Sequence, residues 1–423
     1  MKKLFFIAAI AGAALVSCTK NELAPSATEQ HEITFASPVT STLTKAVDLV
    51  SGQKFPSNDN TAFYVFADHH MKPYGTAENT YTSYMRGTDQ KGVAVTYQGG
   101  GIQPGNDNPS ELDAYWGPVT KYYWPMEGYL TFAAYSTGTN SSLDGTYYTA
   151  FSYSHEKGIQ VTNYFVDTEL TNQYDLMLSE KATDKTKSSM SEGTDNIHYD
   201  GVEIRFNHVL SAIKFAVKTD ETDAEYSDAK YTLKLTSLNI VNAYSKANLI
   251  QFPSGDEKLW SSYSEEGTYN VGATAGTPLS KDAVAFSGDT YADLALLPQA
   301  LSHSTTSKNV TVEIVYTVSH PDMGIRTDAE GEPVTDAEGK PIYNSITYTK
   351  YLSLAGTGTT ADGNDTDTDP DSITVNSWEA GKRYIYTIII GMEEIKFAPT
   401  IVTDWSDVTI DVPENAVVPS TGA

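Results

Sequence analysis

The sequence predicts an all-β protein built as two β-sandwich domains in tandem. Three observations lead there. The 28 tyrosines, together with many threonines, suit pleated and half-buried surfaces. Short alternating apolar segments recur along the chain, separated by loops rich in Gly, Asn, Asp, Ser and Thr. A length of 423 residues exceeds what one ordinary core serves, and 40% hydrophobic residues are enough to fill two.

The first element in chain order is an export signal, residues 1–17. Met1-Lys2-Lys3 is positive, and Leu4 to Val16 is apolar and small, too short to span a bilayer. Its end, Leu15-Val16-Ser17-Cys18, resembles the bacterial lipobox, whose cysteine thiol is linked to diacylglycerol. Cys18 is the only cysteine in the chain. That excludes a disulfide framework and a thiolate metal cluster, and a thiol at this one position is what lipidation requires. The alternative is an incidental small residue at an ordinary cleavage site. Each buried methylene of an acyl chain contributes about 0.8 kcal/mol, so several chains anchor a protein firmly to a membrane.

Residues 18–45 follow as a polar tether containing one alternating stretch, "HEITFAS", with Ile33 and Phe35 on one face. Strand-like runs then appear at Phe63 to Phe66, Tyr129 to Tyr135, Val202 to Val217, Tyr231 to Val241, Val310 to Val318 and Tyr384 to Ile390. The acidic run "KTDETDAEYSD" between two of them sets a boundary, giving domains at 46–220 and 221–423. Near the end, Val408, Ile410 and Val412 alternate before Pro413 and Pro419, so the tail holds a short candidate strand.

Two local patterns have a bland explanation. "RTDAEGEP" and "VTDAEGKP", from Arg326 to Pro341, read as a duplicated hairpin tip; two copies do not make a solenoid. In "ADGNDTDTDPDS" (361–372), Asp365, Asp367 and Asp369 alternate. A calcium loop would need Gly at Pro370 and Glu at Asn376, so a solvated acidic loop fits better.

No catalytic or metal-ligating constellation emerges. The chain has no G-x-S-x-G elbow, H-E-x-x-H pair or phosphate-binding loop, and Gly99-Gly100-Gly101 lacks strand-then-helix context. His69-His70 reads as a strand end, and His155-Glu156 lacks a second histidine. The sequence therefore predicts no enzyme, cofactor or metal. A formal charge of −26 argues against nucleic acid, which needs clustered Lys and Arg. Trp116, Tyr122, Tyr123 and Trp124 are core packing if buried and a glycan platform if exposed; alternation into Tyr129 to Tyr135 favours the core.

These aromatics begin a series of landmarks. "YYWPMEGYLTFAAYS" (Tyr122 to Ser136), "YDLMLSEK" (Tyr174 to Lys181), "VEIRFNHVLSAIKFAVK" with Phe206 and His208, "LALLPQAL" (Leu294 to Leu301) and "WEAGKRYIYTIII" followed by "IKFAPTIVTDW" (Trp378 to Trp405) occur in that order. Together they resemble the fimbrillins, the pilins of Bacteroides-type fimbriae assembled from lipoprotein precursors. The resemblance implies two transthyretin-like sandwiches. It also implies a precursor held at the outer membrane by lipid on Cys18, at the cell surface. A trypsin-like protease then cuts after a basic residue, removing an N-terminal strand whose groove a strand from another subunit fills. On this sequence the removable strand carries Ile33 and Phe35, and the cut falls between Lys45 and Ala46. Lys45 is otherwise an ordinary solvated loop lysine. The implied partners are other fimbrial subunits and outer-membrane lipid. A second hypothesis is a surface lipoprotein that binds glycans on the same scaffold.

Overall fold

The computed structural model of the protein describes residues 32–36, 39–40, 53–54, 61–100, 114–187, 201–220, 231–271, 275–286, 293–302, 309–360, 372–391, 395–398 and 400–404. Cys18, Lys45, Ala46, the acidic stretch 361–371, most of the expected boundary run and the tail from 405 onward lie outside the described residues.

The strands described are, in chain order, β1 (Val39–Thr40), β2 (Gln53–Lys54), β3 (Ala62–His70), β4 (Thr82–Met85), β5 (Val93–Gly100), β6 (Ala114–Pro118), β7 (Tyr129–Ser136) and β8 (Ala150–Ser154). Next come β9 (Gly158–Phe165), β10 (Met177–Ser179), β11 (Ala182–Lys185), β12 (Arg205–His208), β13 (Ser211–Thr219), β14 (Thr232–Ile250), β15 (Trp260–Asn270) and β16 (Thr277–Pro278). The last are β17 (Val284–Phe286), β18 (Leu294–Leu296), β19 (Thr311–Ser319), β20 (Ser345–Ser353), β21 (Gly356–Thr360), β22 (Ser372–Val375), β23 (Lys382–Ile390), β24 (Ile395–Phe397) and β25 (Thr400–Asp404). Apart from short 3-10 turns, the described residues hold no helix, so the protein is all-β as expected.

They form three sheets. The first runs β2-β1-β12-β10-β7-β3-β5-β6, with β11 beside β7 and β4 beside β3. The second runs β17-β13-β23-β25-β21-β22, with β18 on β13 and β24 on β23. The third runs β20-β19-β14-β9-β8, with β15 and β16 also on β14. Sheet membership does not follow chain order cleanly. The β8–β9 hairpin joins the third sheet through β14, and β13, just before residue 220, lies parallel to β23 in the second.

Alternation explains why β3, inside the first sheet, is buried on both faces. In β3, Phe63, Val65 and Ala67 enter a core shared with Phe132, Trp116 and Phe206. The intervening Tyr64 and Phe66 join the larger core, which also holds residues of the second and third sheets. Two opposite-facing sets of large apolar residues on one strand leave no face for water.

In β14 the buried side chains switch phase twice. Leu233 and Leu235 are odd-numbered, Leu238 and Ile240 even, and Ala243, Ala247 and Leu249 odd again. Register shifts sit at both switches, between Leu235 and Ser237 and between Ile240 and Ala243, the second at Asn242 with φ of 62°. Each bulge adds a residue and so returns the apolar set to the core side. The stretch Val202 to Val217, read as a continuous alternating run, likewise divides: β12 belongs to the first sheet and β13 to the second.

Candidate functional site

Residues 32–36 form a short extended segment that closes the first sheet. The Ile33 N–H donates to the Tyr122 carbonyl at 2.8 Å and the Phe35 N–H to the Trp116 carbonyl at 2.9 Å, while Trp116 N–H returns a bond to the Phe35 carbonyl at 3.1 Å. On the opposite side, Ala36 N–H donates to the Val202 carbonyl at 3.1 Å and Val202 N–H to the Thr34 carbonyl at 2.9 Å. Phe35 is thus antiparallel to Trp116 and parallel to Val202 at once. The segment lies in the seam between β6 and the chain that leads into β12. Further on, β1 continues parallel to β12, pairing Val39 with Arg205, and antiparallel to β2, pairing Val39 with Lys54.

The side chains explain why it stays there. Ile33 and Phe35 face inward and are fully buried, as their alternation predicts, and Thr34 between them is buried as well. The Phe35 ring meets Phe63 edge-on at 5.5 Å and Phe132 edge-on at 5.8 Å. Burying two such side chains stabilises the native state by roughly 1.5–3 kcal/mol each. At the segment's start, Glu32 pairs with Lys121, whose side chain is two-thirds exposed, so this ion pair contributes little.

Gly201, immediately before Val202, is one residue the sequence reading passed over. Its φ of +79° is a backbone state that glycine adopts freely, and its missing side chain lets the Phe35 backbone approach. The signal was present as a glycine just ahead of the alternating Val202, Ile204 and Phe206.

The other singled-out residues have structural work. Trp116 and Trp124 are buried against Phe63 and Phe132 and offer no ring face to a sugar. His70 ends β3 as expected, with its ring nitrogens 2.6 Å from the Lys72 carbonyl and 2.8 Å from Thr131 Oγ1; His69 contacts the Glu127 carbonyl. His208 meets Asp175 at 2.7 Å, which joins two landmarks that are far apart in sequence. Gln299 accepts from the Tyr244 N–H at 3.0 Å through its side chain and from the Trp378 N–H at 2.8 Å through its carbonyl. The tandem copies fold as two similar turns, in which Asp328 accepts from the Glu330 and Glu332 N–H groups and Asp336 from those of Glu338 and Lys340.

Titratable groups cluster where the β8–β9 hairpin meets the first sheet. Asp68 pairs with Arg86 and accepts from the Tyr153 hydroxyl at 2.9 Å, with the guanidinium over the Tyr153 ring. Nearby, Tyr74 donates to the His155 carbonyl at 2.8 Å; burial and then neighbouring Tyr81 push its phenol up to about 12. Burial lowers the Lys181 ammonium, which sits over the Tyr74 and Phe252 rings. Every member has a packing partner across this junction, so the cluster acts as a fastening. Among the described residues no three His, Cys, Asp or Glu side chains converge as metal ligands. A cavity of about 450 Å³ beside β21 is lined by Leu354, Tyr386, Phe397 and small residues, without a carboxylate, histidine or lysine.

One solved structure agrees with this architecture in fold. A fimbrial protein from Bacteroides vulgatus matches with a TM-score of 0.51 at 17% identity, covering 88% of this chain and 100% of its own, which is a likeness of fold. The tip fimbrial protein Mfa3 from Porphyromonas gingivalis, truncated at its C-terminus, matches at 13% identity and a TM-score of 0.31, covering 82% and 95%. A comparison with curated protein sequences finds no match. The family model described as fimbrillin-like matches residues 87–405, most of the chain, and on that ground this protein belongs to the fimbrillin-like family.

Proposed function

We propose that the protein is a structural subunit of cell-surface fimbriae, as stalk, tip or accessory pilin. In this reading it is exported as a lipoprotein precursor, held at the outer membrane through Cys18, and assembled by proteolysis-triggered strand exchange. The observation that carries the proposal is the seam: Ile33 and Phe35 fill the core of the first sheet from a segment bonded on both sides by backbone hydrogen bonds. Such a segment is a separable strand, because its interactions are those any extended chain with two large apolar side chains can make.

The cut between Lys45 and Ala46 falls in residues 41–52, which connect β1 to β2. Cleavage there leaves residues 32–40 held only by hydrogen bonds and packing, while β2 remains with the body. Loss of the segment exposes the core around Phe63, Phe132 and Phe206 and two unpaired edges, and a strand from another subunit restores both. Repeated head to tail without closure, this generates a filament. Val408, Ile410 and Val412 supply the alternation a donor strand needs.

A brief trypsin pulse on the purified full-length protein tests the reading. A cut after Lys45 followed by a ladder of SDS-resistant multimers is expected; a cut protein that stays monomeric overturns strand exchange. Replacing Cys18 by alanine is expected to abolish membrane partitioning, and unchanged partitioning overturns the lipid anchor.

A further inference from the structure

The third sheet ends in an unusual edge. β20 pairs residue for residue with β19 over nine positions, Ser345 opposite Ser319 through Ser353 opposite Thr311, with no register shift. Among the described residues β19 is its one strand partner. Exposed edge strands are ordinarily blunted by proline, a bulge or clustered charge. β20, "SITYTKYLS", has no proline, no glycine, no carboxylate and one lysine, in a chain of net charge −26. Ser345 to Tyr351 are exposed on both faces, including Ile346 at 48%, Tyr348 at 37% and Tyr351 at 48%. The apolar side chains are held in place: Tyr348 stacks on Tyr316 at 5.5 Å, and the Tyr351 hydroxyl donates to Glu313 at 2.8 Å.

We infer that β20 is a homotypic docking edge, pairing antiparallel with β20 of a second copy of this chain about a two-fold axis at Thr349. This is the antiparallel register that uses all nine residues. It sets Ser345 opposite Ser353, Ile346 opposite Leu352, Thr347 opposite Tyr351 and Tyr348 opposite Lys350. Apolar meets apolar, each ammonium meets an aromatic ring, and the two lysines are not placed directly opposite each other. Two strongly acidic molecules meet at least cost where neither edge strand carries a carboxylate of its own, and β20 on both satisfies that condition, with Glu313 one strand further in and bonded to the Tyr351 hydroxyl. The contact is isologous and closes as a dimer, so it joins subunits, or filaments side by side, independently of any head-to-tail assembly.

The test uses the full chain with Cys18→Ala, which is cysteine-free and without lipid, in mild detergent. Sedimentation is expected to show a concentration-dependent dimer, lost in Thr349→Pro with the thermal unfolding transition retained. In the same background Thr349→Cys brings the two cysteines opposite each other, with Cα atoms about 4.5–5.5 Å apart, within disulfide range. It is expected to give a reducible covalent dimer in air, whereas Thr347→Cys, opposite Tyr351, remains largely monomeric. A parent that stays monomeric, a dimer that survives Thr349→Pro, or cross-linking as efficient through Thr347→Cys each overturns the proposal. A parent monomeric alone but paired with a different subunit also overturns it, in favour of another occupant.

Discussion

Gly201 lies so close to Phe35 that a Cβ built on it would stand 2.7 Å from the Phe35 carbonyl carbon and 2.8 Å from the Ala36 nitrogen. The Cβ is fixed by its own backbone and meets only backbone atoms of the segment, so no side chain rotation relieves the contact. Gly201→Ala is expected to destabilise the protein by about 1–3 kcal/mol, combining strain at positive φ with displacement of the segment. Amide exchange at Ile33 and Phe35 should accelerate more than exchange in β23, which is remote from the seam.

Phe35→Ala removes a ring held between Phe63 and Phe132. A loss of about 3–5 kcal/mol in denaturant unfolding is expected, as for other buried aromatics. If the seam segment is the separable strand, the same variant also releases it faster after a cut at Lys45, seen as earlier multimers in a trypsin time course.

Two ion pairs provide a contrast. Asp68 and Arg86 have side chains 4% and 17% exposed, whereas that of Lys121, paired with Glu32, is 67% exposed. Asp68→Ala removes the buried acceptor of the Arg86 guanidinium and of the Tyr153 hydroxyl, while Arg86 keeps the Ala67 and Met85 carbonyls, and should cost about 1–3 kcal/mol. Lys121→Ala should cost under about 1 kcal/mol, and less at high salt. Urea titration of both variants checks the difference.

Alkaline pH should weaken the protein. Burial raises the phenols of Tyr74 and Tyr263 to about 12 and pushes Tyr135, Tyr153, Tyr164 and Tyr386 up as well. In the unfolded chain these groups ionise near pH 10, so above that the unfolded state binds fewer protons than the native state and stability falls with rising pH. The contribution is intact below about pH 10 and is lost progressively as pH climbs through the folded values. Melting temperatures across the alkaline range should decline, less steeply for Tyr263→Phe.

The strand content and the inward face of Ile33 and Phe35 were legible because period-two alternation is a local signal. The seam itself was not. It depends on Trp116 and Val202, which are remote from the segment in sequence and brought together only by sheet closure. β14 read as ending near Val241 because the bulge at Asn242 breaks the alternation while the strand continues to Ile250. The fate of β8–β9 was likewise hidden, since nothing local in a hairpin says which sheet it joins. Gln251 marks the join: its side chain accepts from Ile159 N–H at 3.0 Å and donates to the Ser179 carbonyl at 2.8 Å.

That join decides how the molecule bears tension. With β9 laced into β14 and β13 laced into β23, the peptide between residues 220 and 231 is not the sole tie between the early and late parts of the chain. A nick in that connection leaves the parts held by two separate ladders, so drawing the early and late parts of one molecule apart must tear sheet before it can stretch a linker.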